Sequence, residues 1–180
     1  MLMLELHIRQ ATPGDASSLA AIGRKTFFEK WMNTTSAGNM QQYLNEAYND
    51  IKVRDEIADS SIIYLLAEEG KDAIGFAKVM HTHPDIEVPE PDVSFTHENP
   101  LEISRIYVMP ELIGKSVGAA LMENIFAIAE KEHCDLIWLG VWEHNPAVRF
   151  YIRHGFVKAG THKFILGDQV DTDWVMVKQL

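Results

Sequence analysis

The stretch Leu101–Lys131, LEISRIYVMPELIGKSVGAALMENIFAIAEK, decides the fold of this chain. Its opening residues form a β-branched and aromatic run, which predicts a strand. Pro110 ends that strand, because proline cannot donate a ladder hydrogen bond. We expect Gly114 to open a helix whose apolar residues recur every three or four positions, at Val117, Leu121, Ile125 and Ile128.

The chain therefore places the amino end of a helix close to the end of a strand. The first turn of a helix carries unpaired N–H groups and a partial positive charge, so it can bind a phosphate that no side chain blocks. Lys115 adds a positive charge, and the neighbouring residues are small: Gly114, Ser116, Gly118 and Ala119. An ordinary strand-to-helix turn shows the same pattern, so both interpretations stand at this point.

Two other phosphate motifs are excluded at this turn. Gly-Lys-Ser resembles the end of a P-loop, but Met109 occupies the position of the glycine that a P-loop requires. The run GKSVGA also lacks the glycine spacing of a dinucleotide fingerprint.

The remaining sequence predicts one α/β layered domain over residues 1–180. Helices are predicted after the caps Asp15 and Ser36 and over 51–58 and 146–154, with Gly155 ending the last one. Strands are predicted at 4–10, 61–67, 73–80, 135–142, 156–166 and 173–178, and a long loop at 81–100. The strand–helix–strand unit over 101–142 predicts a parallel pair in a mostly antiparallel sheet.

Composition limits the classes of partner. The formal net charge is −10, from 16 Lys+Arg against 26 Asp+Glu, which argues against nucleic-acid and anionic-membrane binding and suits a cationic substrate. The single cysteine, Cys134, excludes an intrachain disulfide and favours a reducing, cytoplasmic location. The sequence shows no basic-then-apolar leader and no apolar run long enough to span a bilayer.

The central stretch resembles the acyl-CoA-binding core of the GNAT superfamily of N-acyltransferases. That core reads as a strand ending Tyr-Val, then Pro, then R/Q-x-x-G-x-G/A. The corresponding residues here are Tyr107, Val108, Pro110, Ile113, Ser116 and Gly118. Ile113 replaces the usual Arg or Gln, and Ser116 replaces a glycine, so Lys115 is the cation left to help hold a pyrophosphate.

A second stretch, over residues 142–156, resembles the GNAT signature N-x-x-A-x-x-F-Y-x-x-x-G-F. The half from Phe150 to Phe156 matches in full, and the first half is one residue short, so either His144 or Asn145 takes the place of the asparagine. The ending GDQVDTDWVM, and WLGVWEHN before it, further resemble a bacterial subgroup that includes polyamine N-acetyltransferases.

The resemblance implies a GNAT-like sheet with helices on both faces and an enzyme that moves an acetyl group from acetyl-CoA to a small primary amine, a polyamine being one candidate. It implies no metal and allows a homodimer. Tyr151 is the implied acid for the leaving thiolate and Glu102 the candidate base, each with a structural alternative: a core tyrosine, and a solvated strand carboxylate beside Arg105. The implied cofactor-binding residues are Ile106, Tyr107, Val108, Ile113, Gly114, Lys115, Ser116, Val117, Gly118, Ala119, His144, Asn145 and Tyr151.

Two alternative functions remain open. Because Ile113 and Ser116 depart from the motif, the fold could bind acyl-CoA without catalysis, as a sensor or regulatory module. The run His81-Thr82-His83-Pro84-Asp85 has the H-x-H-x-D spacing of metal-dependent hydrolases, although Ile86 stands where a further histidine is customary. If this run does not bind a metal, we expect it to form a polar loop over the acceptor cleft.

Overall fold

The structure, a computed structural model, describes residues 5–180, so Leu4 of the predicted first strand lies outside the described residues. The described chain divides into two compact units. The first contains the residues up to Val79 together with Arg105–Phe126, and the second contains Met80–Ser104 and Ala127–Leu180. A single domain over 1–180 stays a prediction.

The first unit begins with a strand, three helices and a hairpin. Their bounds are β1 Leu6–Gln10, α1 Ala16–Trp31, α2 Ala37–Ala47, α3 Asp50–Ala58, β2 Ile62–Glu69 and β3 Asp72–Met80. Ser36 caps α2 by accepting the N–H of Asn39 at 3.2 Å, and Asn49 caps α3 by accepting that of Lys52 at 2.8 Å. These side chains satisfy N–H groups that a helix leaves unpaired, which is why the predicted helices form here.

The organising strand is β5, Pro100–Val108, and the helix that follows it is α4, Val117–Lys131. The prediction that Gly114 opens the helix is wrong. Gly114 has φ +85° and Ser116 has φ +67°, and this left-handed backbone cannot belong to a right-handed helix. The turn therefore extends to Ser116.

The apolar stripe of α4 is confirmed at three of its four predicted positions. Val117, Leu121 and Ile125 are fully buried, whereas Ile128 is only partly buried. Met122 and Ala129 are also buried, which places the stripe slightly to one side of the predicted one.

The second unit consists of short elements around a β-rich core. Their bounds are β4 Val88–Pro89, β6 Leu136–Trp142, α5 Val148–Arg153, β7 Val157–Leu166 and β8 Gln169–Gln179. Helix α5 is shorter than the predicted 146–154, and Gly155, with φ +87°, ends it as predicted.

The long loop 81–100 is not wholly irregular. Its two-residue strand β4 pairs with β7 antiparallel, Val88 against Thr161, and the sequence analysis missed it because two residues carry no periodic signal. The loop also packs Ile86, Val93 and Phe95 on the core cluster of the unit, whose members are Leu136, Trp138, Ala159, Val175 and Val177.

Hydrogen-bonded strands follow one another in the order β1-β2-β3-β5-β6-β8-β7-β4, which makes an eight-stranded sheet. Strand β5 pairs with β6 in parallel, Pro100–Glu102 against Leu136–Trp138, whereas β6 pairs with β8 and β8 with β7 antiparallel. The predicted mixed, mostly antiparallel α/β fold with a parallel pair is confirmed. Within residues 5–180, no helix combines the length and the apolar character that crossing a membrane would require.

Candidate active site

The turn between β5 and α4 exposes its backbone. Gly114, Lys115 and Ser116 are exposed, and a Cβ added to Gly114 would meet no atom within 4 Å. The turn is closed by its own hydrogen bonds, from Ile113 N–H to the Pro110 carbonyl at 3.3 Å and from Lys115 N–H to the Leu112 carbonyl at 3.1 Å. A ligand can therefore reach this backbone without displacing a side chain.

The amino end of α4 supplies hydrogen-bond donors. The N–H of Ala120 donates to the Ser116 carbonyl at 3.0 Å, so the N–H groups of Val117, Gly118 and Ala119 lie in the first turn, where a helix offers no acceptor. The side chain of Val117 is buried and fixes the helix start. With Lys115 beside it, this arrangement fits a diphosphate: backbone donors, the positive end of a helix, and open space.

The strand before the turn is packed closely against its neighbours. A Cβ on Gly75 would lie 2.7 Å from the carbonyl oxygen of Tyr107, so the glycine lets the backbone of β3 approach β5. Ile106, Tyr107 and Val108 are each partly buried. The Tyr107 hydroxyl accepts a hydrogen bond from that of Tyr48 at 3.1 Å, and burial raises the pKa of Tyr107 to about 12, which keeps it protonated at neutral pH.

Glu102 is partly buried, and one hydroxyl orients it. The Oγ1 of Thr82 donates to its carboxylate, and the indole Nε1 of Trp138 donates to the Thr82 carbonyl at 2.7 Å. Sequence analysis missed Thr82, because nothing in its spacing from Glu102 signals a contact between a loop and a later strand.

Arg105 does not lie beside Glu102 as predicted. Its guanidinium carbon lies 4.7 Å from the ring centroid of Tyr48, and one of its N–H groups donates to the Ala47 carbonyl at 3.4 Å. Glu102 and Arg105 are an odd number of positions apart on one strand, so the pleat turns their side chains to opposite faces.

Tyr151 lies on α5 and is 7% exposed. Its ring makes edge contacts with Phe150 and Phe156, at centroid distances of 5.4 and 6.0 Å. The two phenylalanines of the signature thus hold the tyrosine in place.

His144 and Asn145 have different environments. The Oδ1 of Asn145 accepts the N–H of Ala147 at 2.9 Å and shapes the turn into α5. His144 is exposed, with its ring 5.2 Å from that of Trp142. Asn145 is therefore the one that the local structure fixes at the start of the signature.

The H-x-H-x-D residues face three separate partners. His81 Nε2 lies 2.6 Å from a Glu132 carboxylate oxygen, His83 contacts His97, and the Asp85 carbonyl lies 3.1 Å from His162 Nδ1. Within residues 5–180, no three His, Cys, Asp or Glu side chains are grouped so that they could hold a metal ion.

The comparison with known proteins identifies the family. A family model described as "Acetyltransferase (GNAT) family" matches residues 26–156, a range that contains both motifs. The chain belongs to the GNAT family. It is accordingly an acetyltransferase, and the resemblance found in the sequence is confirmed at the family level.

Several GNAT relatives match nearly the whole chain. An uncharacterized N-acetyltransferase of Lactobacillus delbrueckii subsp. lactis is 31% identical over 99% of both chains. One of Mycobacterium tuberculosis is 26% identical over 92% of this chain and 98% of its own. The crystal structure of PaiA N-acetyltransferase from Thermoplasma acidophilum, in complex with coenzyme A, covers 98% of this chain and 99% of its own with a TM-score of 0.79 and 22% identity, which shows a shared GNAT fold.

Proposed function

We propose that this GNAT protein transfers the acetyl group of acetyl-CoA to a primary amine of a small molecule. The observation that carries the proposal is the exposed turn at Gly114–Ser116, followed by the N–H groups of the first turn of α4, in a chain of this family. Coenzyme A is present in the related PaiA structure, which supports the same co-substrate here.

The co-substrate would be held mainly by backbone. The N–H groups of Val117, Gly118 and Ala119 would bind its diphosphate, and Lys115 would add the charge that Ile113 does not provide. Ile106, Tyr107 and Val108 would border the pantetheine arm, and Asn145 is a better candidate for a side-chain contact than His144 because its position is fixed.

Amine acetylation needs a base and an acid. A primary amine with a pKa of about 10.4 is charged at neutral pH and must lose a proton before it attacks the thioester. Glu102, oriented by Thr82, would draw that proton, and Tyr151 would protonate the departing thiolate. The Val108 N–H would donate a hydrogen bond to the thioester carbonyl oxygen, which becomes negative when the amine attacks.

The resemblance and the net charge of −10 make polyamines the first acceptors to test. Acidic residues of the long loop are the proposed source of attraction, although Glu90 pairs with Lys158 and Glu87 accepts the N–H of Lys163 at 3.3 Å. Asp92 and Glu98 remain as exposed acids of this loop. A cytoplasmic location and a homodimer belong to the same proposal.

An acceptor screen tests the function directly. Purified protein, acetyl-CoA and a panel of polyamines, amino acids and aromatic amines would be mixed, and free thiol followed against a blank without acceptor. We expect acceptor-dependent thiol release with at least one amine. No release with any amine, together with tight binding of acetyl-CoA measured by calorimetry, would favour a non-catalytic acyl-CoA-binding module. The observation that supports this alternative is Ile113, which is 71% exposed at the position where the motif usually has a cation.

Tyr151→Phe tests the acid. Removing the hydroxyl while keeping the ring should lower kcat about 10²-fold with little change in coenzyme A affinity. Tyr64→Phe serves as a control for the loss of a buried hydroxyl, because Tyr64 donates to Glu56 and has no part in the proposed chemistry. Equal turnover of Tyr151→Phe and wild type would remove Tyr151 from the mechanism.

A further inference from the structure

The histidine that precedes Thr82 is held at both of its ring nitrogens. The Nδ1 of His81 lies 3.2 Å from the carbonyl oxygen of Pro100, the first residue of β5. Its Nε2 lies 2.6 Å from a carboxylate oxygen of Glu132, which directly follows the last residue of α4. These residues all belong to the second unit, so the imidazole joins the segment after β3 to the start of β5 and to the end of α4.

Thr82 itself is held through its hydroxyl and its backbone. Its Oγ1 donates to the carboxylate of Glu102, and its carbonyl accepts the indole N–H of Trp138 at 2.7 Å. The bond from Trp138 fixes the carbonyl side of Thr82, and His81 fixes the chain on the other side. A backbone held at one point can still turn about that point, so the direction of the Thr82 hydroxyl depends on both contacts.

His83, on the other side of Thr82, has a different environment. It is exposed, and its Nδ1 lies 3.3 Å from that of His97, a residue of the same long loop. The two rings meet edge to face at a centroid distance of 5.5 Å. This contact joins two parts of one loop and gives Thr82 no direct link to the sheet, so His83 is a matched comparison for His81.

The contacts of His81 argue against a direct part in the chemistry. Both of its ring nitrogens face oxygen acceptors, so neither is available to take a proton from an amine. What the imidazole does at this position is connect elements that carry Thr82 and Glu102.

We propose that His81 and Glu132 are positioning residues for the reaction, which hold Thr82 so that its hydroxyl keeps the Glu102 carboxylate in one orientation. The inference rests on the proposed function, in which Glu102 draws the proton of the amine. A base that is already oriented loses less freedom in the transition state, so residues that hold it raise kcat without touching the amine.

His81→Ala tests the proposal, with His83→Ala as the matched control on the other side of Thr82. The two side chains of the positioning pair are 40% and 33% exposed, and solvent weakens such a pair. We therefore expect kcat to fall about 3- to 10-fold in His81→Ala with any amine that the wild type acetylates. Glu132→Ala should cause part of this fall, and His83→Ala should keep the wild-type kcat.

Coenzyme A binding confirms that each variant is folded. The affinity should stay at the wild-type value, because the proposed diphosphate turn belongs to the first unit and contains none of these residues. A fall in kcat with unchanged coenzyme A affinity is the result expected of a positioning residue.

A double-mutant cycle separates positioning from general support of the fold. If His81 acts through the Thr82 hydroxyl, adding His81→Ala to Thr82→Val should lower kcat by less than about twofold, since the hydroxyl is already absent. A residue that supports the fold in general would cause the same loss in both backgrounds. That additive result, or a fall in His83→Ala as large as in His81→Ala, overturns the proposal.

The indole of Trp138 gives a readout that needs no turnover. Its N–H donates to the Thr82 carbonyl, so its hydrogen exchange, followed by NMR, reports how often this segment opens. We expect exchange about 3- to 10-fold faster in His81→Ala and unchanged in His83→Ala. Unchanged exchange in His81→Ala overturns the positioning role and leaves the acetyltransferase intact. Faster exchange, in a protein that acetylates no amine, overturns the proposed function and retains the structural link.

Discussion

A chain of hydrogen bonds from neighbouring residues orients the carboxylate of Glu102. Thr82 donates to its carboxylate, and Trp138 holds the Thr82 backbone in turn. A base whose carboxylate is already turned by one hydrogen bond loses less freedom when it meets the amine. Thr82 is thus a positioning residue for the proposed base.

Replacing Glu102 by Gln keeps the shape and removes the base. We expect kcat/KM to fall by about 10²-fold or more, since positioned general bases contribute on this order. Thr82→Val, which removes the orienting hydroxyl and keeps the carboxylate, should cause a smaller fall in kcat/KM. If Glu102→Gln works as well as wild type, Glu102 is only a solvated strand carboxylate.

Sequence patterns predicted individual residues unevenly. Gly155 ends α5 as predicted, because the signature fixes its place after the helix. Arg105 was misplaced because a charged residue was paired with its neighbour in sequence without regard to the pleat. Thr82 could not be found, since its partner is distant in sequence.

Helix α4 has a left-handed residue just beyond each end, Ser116 with φ +67° and His133 with φ +54°. At the carboxyl end, Cys134 N–H donates to the Ala129 carbonyl at 2.9 Å and His133 N–H to that of Glu130 at 3.1 Å, which is a Schellman motif. Glycine usually occupies both kinds of position, because a side chain makes the left-handed conformation costly.

Ser116→Gly and His133→Gly should therefore both stabilise the protein, by about 0.5–1 kcal/mol, after the greater freedom of glycine in the unfolded chain is subtracted. Only Ser116 lies in the proposed diphosphate turn. Chemical denaturation measures the change in stability, and calorimetric titration measures the affinity for coenzyme A. We expect tighter coenzyme A binding in Ser116→Gly alone; a matching change in His133→Gly would show that helix stability, not access to the turn, controls affinity.

Elements were predicted well where a capping residue and periodic apolar positions agree, as for α2 after Ser36. The start of α4 was misplaced because a glycine marks a left-handed turn as readily as a helix start. Strand β8 was predicted to begin at Asp173 but begins at Gln169, since the polar residues before Trp174 hide the alternation. Pairing with β7, a long-range effect, extends the strand.

In this acidic molecule, one histidine lies between two aspartates, and their negative charge stabilises its protonated form. His162 Nε2 lies 3.9 Å from Asp173 on β8, and its Nδ1 lies 4.0 Å from the Asp85 carboxylate of the long loop. The neighbouring Asp173 carboxylate raises the pKa of His162 above 6.5, against the opposing effect of burial. The imidazolium therefore ties the loop to the sheet of the second unit.

Protein stability should vary with pH through this group. A pKa raised in the folded state gives a stabilisation that is complete below the unfolded pKa of about 6.5 and is lost as pH rises through the folded pKa. The difference in unfolding free energy between wild type and His162→Gln should thus be larger at pH 5.5 than at pH 9. Asp173→Asn should remove most of this pH dependence; a difference that is constant with pH would contradict the assignment.

Gly23 on α1 limits which substitutions this part of the first unit can accept. A Cβ at this position would lie 2.4 Å from the Tyr48 ring, over which the Arg105 guanidinium lies. A larger side chain at position 23 would displace the ring, and with it the guanidinium. Repacking of this region should therefore require concerted substitutions at positions 23, 48 and 105, since a change at one of them removes a contact of the others.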